Sequence, residues 1–566
     1  NGADLNIVAT TNLNFAGDIV NAGAVATLDI NTTATMNLSG EITGDTSLTL
    51  SAGDLTLAGT NSYTGATTVT TGTLQVTGGA AIADAGAVVV NGGTFEVLAN
   101  ETIGTLEGAG GVNVNANTLT VAGTGDKTFS GALSGSGVLS KTNSGTLTLG
   151  TGNAGYTGGF AISNAGVIEG GADAFGDGTG DIALTNGTLN VTATSALAHD
   201  ITVGAGGGTL ATDDGVTATL TGAITATGGG LTFGNGTDTS EFALNNTVAS
   251  SADSATTIAG STTVVLGNGN SAGLFTNGLA LSGTLDLNGN DTATGNLSGA
   301  GTVTNNAATG TAVLTVGGDG TVPGSFTGTI TDGTTATTGL ALNKGLATDE
   351  FSLTTSQTYT GGTTIDTGVL SLNVANALAD AGAVTVNANG TLALETGAET
   401  IGALDGAGKV TLGANTLTVG GATDTEFSGV ISGTGGLTLD KAAEADVFEL
   451  SGDNTYTGTT TVTTGTLVVS GNEAIDDDGS VVVSGGSTLR VDASEDVGLL
   501  DGAGSVDLNG AGVTLTVGST VAGTADFSGG ISGAGGLTMD GVGTQTLSGT
   551  NSYTGATTVT TGTLQV

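Results

Sequence analysis

Cysteine and tryptophan are absent from this chain of 566 residues, and proline occurs only once. Without cysteine no disulfide can form, so the durability of the fold must come from packing and backbone pairing. The 13 Phe and 5 Tyr residues are too few to fill several conventional cores. Collagen is excluded because the 106 glycines follow no strict three-residue period. A hydrophobic fraction of 37% also excludes a solvated, disordered chain.

Basic residues are scarce as well, with six Lys and Arg against 50 Asp and Glu and a formal net charge of −44. Phosphate recognition needs clustered Lys and Arg, so we expect neither nucleic acid nor anionic lipid as a partner. Divalent cations and cationic surfaces are the natural counter-charges. No apolar run approaches the roughly 18 residues of a membrane helix, so we expect no membrane span in this segment.

Internal repeats are the strongest signal in the sequence. The stretch from Gly59 to Val76 recurs unchanged from Gly549 to Val566. Its core, Tyr-Thr-Gly, accounts for every tyrosine in the chain: Tyr63, Tyr156, Tyr359, Tyr456 and Tyr553, with Gly65, Gly158, Gly361, Gly458 and Gly555. A second marker, Phe-Ser-Gly or Phe-Thr-Gly, begins at Phe129, Phe326, Phe427 and Phe527. Both markers indicate a super-repeat of roughly 97 residues.

The super-repeats and their coils can be placed approximately. We assign the super-repeats to residues 1–62, 63–155, 156–251, 252–358, 359–455 and 456–552, with 553–566 starting another. Short strands within each one predict coils of about 24 residues, four to a super-repeat and roughly 23 in all. Residues 1–566 are therefore predicted to form one continuous β-solenoid.

Each strand alternates between two faces. Leu74 and Val76 share one side, while Thr73 and Gln75 share the other, which is typical of a half-buried strand. Glycine-rich turns separate the strands, and we expect corner glycines to adopt positive φ. The predicted fold is all-β, a parallel β-helix that is right-handed by the general rule for parallel crossovers.

The order of motifs resembles a known family. Tyr-Thr-Gly-x-Thr-Thr-Val, then Ile-Gly-x-Leu-x-Gly-Ala-Gly, Leu-Thr-Val-Gly and Phe-Ser-Gly-x-Ile-Ser-Gly are best preserved from Tyr359 to Leu439 and from Tyr456 to Met539. This order is similar to the autotransporter passenger-associated strand repeat. The resemblance implies a parallel β-helix in a large secreted or surface-displayed bacterial protein. It says little about activity, because one fold supports many functions.

Candidate chemical groups are few. The lone histidine, His199, is expected to be an exposed turn residue, since a catalytic base also needs a positioned nucleophile and oxyanion donors. Two aspartate-rich turns suit calcium, which prefers hard oxygen ligands. They contain Asp177 and Asp181, and Asp476, Asp477 and Asp478. One aspartate in a turn more often bonds its own backbone. Each motif tyrosine is expected to pack its ring along the rod with its hydroxyl at the surface.

The sequence therefore predicts a non-enzymatic stalk or adhesin that acts outside the cell or at the bacterial outer surface. Its expected partners are other copies of itself, a cell-surface glycan, or a host or neighbouring cell surface. No cofactor is required, and calcium is the one ion that the turns suit. The alternative is a segment of an extracellular filament or matrix assembled end to end. Neither end shows a capping element, so we expect further coils to continue the rod.

Overall fold

The computed structural model describes residues 4–23, 26–171, 173–246, 250–267, 273–318, 324–518 and 522–566. These residues form 67 strands and no α-helix, which confirms the all-β prediction. In this described part, no helix is long and apolar enough to cross a membrane. The strands stack as a parallel β-solenoid of about 26 turns.

The chain contains two compact units, residues 1–285 and 286–566. In the first unit, the coils that follow Tyr63 contain strands Thr67–Val69, Thr73–Val76, Ala87–Val90, Thr94–Val97, Glu101–Ile103, Thr105–Gly108, Gly111–Asn113, Thr118–Val121, Lys127–Phe129, Ala132–Ser134, Val138–Lys141 and Gly145–Leu149. In the second unit, the coils that follow Tyr359 contain strands Thr363–Leu372, Ala383–Leu394, Glu399–Ile401, Ala403–Gly406, Lys409–Thr411, Leu417–Val419, Thr425–Phe427, Val430–Gly433, Leu437–Asp440, Val447–Leu450, Thr455–Tyr456, Thr460–Thr464 and Thr466–Val469.

A coil has three short strands, as the stretch after Glu101 illustrates. Glu101–Ile103 pairs with Thr118–Val121, and Gly111–Asn113 pairs with Ala132–Ser134. Between them, Thr105–Gly108 pairs with Lys127–Phe129 at one position, Gly108 with Phe129. Inward Leu, Val, Ile and Phe side chains stack from coil to coil and form the core, whereas the alternate positions are half-buried or exposed. The predicted alternation along the strands is therefore confirmed.

The predicted division into four coils per super-repeat is wrong. Val469 is the repeat equivalent of Leu372, 97 residues later (469 − 372 = 97). Yet Val469 stacks on the ladder of Ile365, which lies on the face before Leu372 in strand Thr363–Leu372. Five pairings join the two residues, through Val386, Gly406, Phe427 and Leu450. The super-repeat thus spans more than four coils and fewer than five.

Short coils explain the difference from the sequence prediction. Thr94 pairs with Gly111, only 17 residues later (111 − 94 = 17), because the strand Gly111–Asn113 has three residues and follows a glycine turn directly. A strand of three residues is too short to show a clear alternation of apolar and polar residues, so it is not detected from sequence periodicity. As a consequence, equivalent motifs within the second unit occupy successive faces.

Candidate functional site

The motif tyrosines lie inside the solenoid. Tyr63, Tyr156, Tyr359 and Tyr456 are at most 2% exposed. The Tyr456 hydroxyl lies 2.7 Å from the Thr460 hydroxyl, and the pairs Tyr63–Thr67 and Tyr359–Thr363 are equivalent at 2.6 Å. The prediction of a surface hydroxyl is wrong, because the threonine four residues later supplies a buried partner. Burial also raises the pKa of these phenols far above the ordinary value.

Tyr156 has Phe160 where the other copies have threonine, and it bonds to the backbone instead. Its hydroxyl accepts the Leu139 N–H at 3.1 Å and lies 2.8 Å from the Gly159 carbonyl oxygen. The Phe160 ring packs edge-on against Tyr156, Phe175 and His199. These rings form an aromatic cluster inside the first unit.

His199 belongs to this cluster and is only 3% exposed. Its Nδ1–H donates to the Gly180 carbonyl oxygen at 2.5 Å. The prediction of an exposed turn residue is wrong. The His199 ring packs beside Phe160, and the hydrogen-bonding need of its Nδ1–H is met by the Gly180 carbonyl of the preceding coil. The ring contact with Phe160 and the hydrogen bond to Gly180 give His199 a structural role.

Three buried glutamates are the main feature that sequence reasoning missed. Glu495 is 1% exposed, and its two carboxylate oxygens accept the N–H groups of Ile475 (2.5 Å) and Ala474 (3.3 Å). The equivalent groups are Glu101 with Ala81 and Ile82, and Glu399 with Ala377 and Leu378. Each glutamate therefore holds the corner turn of the preceding coil. Its recurrence before Thr-Ile-Gly or Asp-Val-Gly was the available sequence signal.

Burial is the dominant influence on these carboxyl groups. It raises the pKa of Glu495 to about 8, and that of Glu101 and Glu399 to about 7. The backbone N–H donors favour the charged form, but they offset only part of the desolvation. Neighbouring carboxylates, Asp84 at Glu101 and Asp380 at Glu399, raise the pKa further.

A buried asparagine joins three successive coils at each well-preserved corner. Asn454 accepts the Ile431 N–H of the preceding coil at 2.7 Å and donates to the Ala474 carbonyl oxygen of the next coil at 2.7 Å. Asn61 bridges Ile42 and Ala81, and Asn153 bridges Leu133 and Ala174. The side chain thus adds hydrogen bonds between adjacent coils at a corner, beside those that the backbone makes.

Replacing Asn454 with alanine is expected to destabilise the chain by about 2 kcal/mol, because the buried Ile431 N–H is left without an acceptor. Thermal unfolding followed by circular dichroism measures this loss. Asn387→Ala is the matched control, since Asn387 is exposed and bonds only to Asp366 at the surface. Equal melting temperatures for both variants would contradict the bridging role.

Half of the basic residues are buried. Lys141 is 1% exposed, and its Nζ donates to the carbonyl oxygens of Gly123, Thr142 and Asn143 at 2.8 to 2.9 Å. Lys344 and Lys441, each 3% exposed, donate in the same way to backbone carbonyls. Burial lowers the pKa of all three ammonium groups. Of the six basic residues, only Lys127, Lys409 and Arg490 therefore lie outside the buried set.

The motif glycines are required for close approach rather than for positive φ. A Cβ at Gly458 would overlap the Gly435 carbonyl oxygen of the preceding coil, and Gly65, Gly158, Gly361 and Gly555 are equally close to backbone or side-chain atoms of the preceding coil. None of these five adopts positive φ. The Phe markers are buried completely, and the Phe427 ring covers Gly429 so closely that a Cβ would touch its tip.

The variant Gly458→Ala is expected to lower stability by about 1 to 3 kcal/mol, because the added methyl group forces two stacked coils apart. Chemical denaturation measures the change. Gly512→Ala provides the control, since a Cβ at Gly512 meets no atom within 4 Å. A Gly458 variant as stable as the control would show that the coils separate without cost.

The aspartate-rich turns use their side chains locally. Asp177 accepts the Thr179 N–H at 3.0 Å and the Thr179 hydroxyl at 2.6 Å, which lowers its pKa. Asp476 accepts the Asp478 N–H at 3.1 Å. Asp181 is exposed. Across the described ranges, no three His, Asp or Glu side chains are grouped to hold a metal. Calcium binding at these turns and at Asp477 stays a prediction, which isothermal titration calorimetry would test.

Known proteins share this repeat. The family model of the passenger-associated-transport-repeat matches residues 50–76, 139–169, 349–372, 432–469 and 537–566. A curated relative, the adhesin BmaC autotransporter of Brucella suis biovar 1 (strain 1330), is 34% identical over 330 residues. That alignment covers 56% of this chain and 10% of the relative, so the chain spans about a tenth of the relative's length. No solved structure matches the chain.

Each matched segment contains one motif tyrosine. The residues that produce the family match are therefore the same ones that form the tyrosine corners of the solenoid. The repeat and the relative also agree with the predicted location, outside the cell or at the bacterial outer surface. Five segments of this β-solenoid thus match the passenger-associated-transport-repeat, in agreement with the resemblance that the sequence predicted.

Proposed function

We propose that this chain is a non-enzymatic stalk and adhesin that mediates attachment of a bacterial surface to other cells. The observation that carries the proposal is the use of its polar groups. Glu495, Asn454, Lys441 and His199 are buried and bonded to neighbouring coils, so they stiffen the solenoid instead of facing a substrate. The similarity to the adhesin BmaC autotransporter supports the same role.

Attachment can be measured with beads coated with the full chain and applied to cell monolayers. We expect more beads to remain after washing than with beads coated by an unrelated protein of equal net charge. Free chain in excess should displace them, because specific sites saturate whereas charge effects do not. Retention equal to that of the control beads would overturn the proposal.

Self-association into end-to-end filaments is a separate part of the prediction. Analytical ultracentrifugation over a range of concentrations distinguishes it from attachment to other surfaces. A sedimentation coefficient independent of concentration would leave adhesion as the sole proposed role, whereas growing assemblies would support filament formation.

A further inference from the structure

A groove of about 420 Å³ opens on the second unit. Its residues are Ala347, Thr348, Val369, Ala388, Asn389, Gly390, Thr391 and Lys409. Gly390 borders this groove, on the strand Ala383–Leu394, which shifts register against the preceding coil between Ile365 and Thr367. Its size is within the range of small-ligand sites.

Lys409 gives the groove its charge. Of the six basic residues, three are buried and donate to oxygen atoms of neighbouring coils, and Lys127 and Arg490 pair with Glu107 and Asp492. Lys409 is exposed, and among the described residues it pairs with no carboxylate. The neighbours in its ladder are Thr391 and Val430, which are uncharged. The groove is therefore a cationic point on a strongly acidic molecule.

The fold does not require a lysine at this position. In the repeated sequence Gly-Ala-Gly-x-Val, the variable residue is Gly111, Thr302, Lys409 or Ser505. Ser505 occupies the same place in a strand of the next super-repeat, where it pairs with Thr488. A small residue thus supports the strand equally well, and the ammonium group is available for a ligand.

We propose that this groove binds a terminal acidic sugar, a saccharide that carries one carboxylate. Lys409 would pair with the carboxylate, while Thr348, Asn389 and Thr391 offer hydroxyl and amide groups to sugar hydroxyls. Val369, Ala347 and Ala388 contact the apolar face of the ring. A polyanionic glycan is excluded as the occupant because the net charge of −44 repels it. The inference rests on the proposed adhesive function and names its ligand class.

Titrations followed by saturation-transfer NMR test this proposal on the full chain, with methyl glucuronide and methyl sialoside as probes and methyl glucoside as the neutral match. We expect an acidic sugar to bind, the neutral sugar to bind more weakly, and Lys409→Ser to weaken acidic-sugar binding about tenfold. Lys409→Arg should retain binding, and about 0.5 M salt should reduce it. The control Lys127→Ser removes a cation outside the groove and should bind normally.

Binding of neither acidic sugar, or equal binding by the Lys409→Ser variant, would overturn the proposal. Matching circular dichroism melts of the wild-type chain and the Lys409→Ser variant confirm that the fold is intact. The outcomes also separate the two levels of inference. Beads that adhere without acidic-sugar binding leave adhesion standing and reject the groove, whereas sugar binding without adhesion retains the groove and rejects the proposed function.

Discussion

Glu495→Gln is expected to reverse its effect on stability between pH 5 and pH 9. In the folded chain the carboxyl group has a pKa of about 8, whereas the ordinary value is 4.5. Its contribution to stability is therefore fully present below pH 4.5 and is lost as the pH rises towards 8. The loss is about 5 kcal/mol, because each of the 3.5 units of pKa difference (8 − 4.5) corresponds to about 1.4 kcal/mol.

Glutamine does not titrate, so the variant escapes this loss. It also presents an amide NH₂ to one of the two backbone N–H donors, which costs about 1 kcal/mol at every pH. The wild-type chain should melt higher at pH 5, and the variant should melt higher at pH 9. The difference between the two chains isolates Glu495 from the general effect of the net charge.

Glu426→Gln serves as the control for this experiment. Glu426 is exposed and bonds to Ser451 at the surface, so its variant should differ from the wild-type chain by a constant amount. A Glu495 variant whose difference from the wild-type chain is likewise constant between pH 5 and pH 9 would show that this carboxyl group is not desolvated.

Tyr456→Ala is expected to lower the free energy of unfolding by about 3 to 5 kcal/mol, because it leaves a cavity where a fully buried ring stood. Tyr456→Phe keeps the ring and loses the bond to Thr460, so we expect a loss of about 1 kcal/mol. Denaturant titrations measure both values. Repeat proteins can unfold in parts, so the transition is followed by tyrosine fluorescence and by circular dichroism together.

A tyrosine in a less enclosed corner provides the comparison. Tyr553 keeps the hydrogen bond to Thr557 but is only partly buried, and Tyr553→Ala should cost clearly less than Tyr456→Ala. Equal losses at the two sites would mean that the ring contributes through its own coil rather than through the coils stacked around it. A stable Tyr456→Ala chain with weakened glycan binding would instead favour a role in sugar stacking.

The corners that contain the motif tyrosines show which structural residues the sequence could reveal and which it could not. The tyrosines, their glycines and the Phe markers were found from recurrence, and all are structural. Glu495 and Asn454 were not found, because their partners lie about 20 residues away in sequence and only coil stacking brings them together. His199 and the tyrosine hydroxyls were expected at the surface, since a polar group without a known partner is more often exposed.

The sequence by itself determined that the chain is an all-β solenoid of passenger-type repeats, because strand alternation, glycine turns and recurring motifs are local signals. Only the tertiary structure decided how many coils a super-repeat contains and which charges are buried. Both depend on register, which follows from contacts between neighbouring coils. Coil length varies from 17 residues between Thr94 and Gly111 to 26 between Thr311 and Thr337, so the local pattern of a strand does not reveal which strand of the next coil it pairs with.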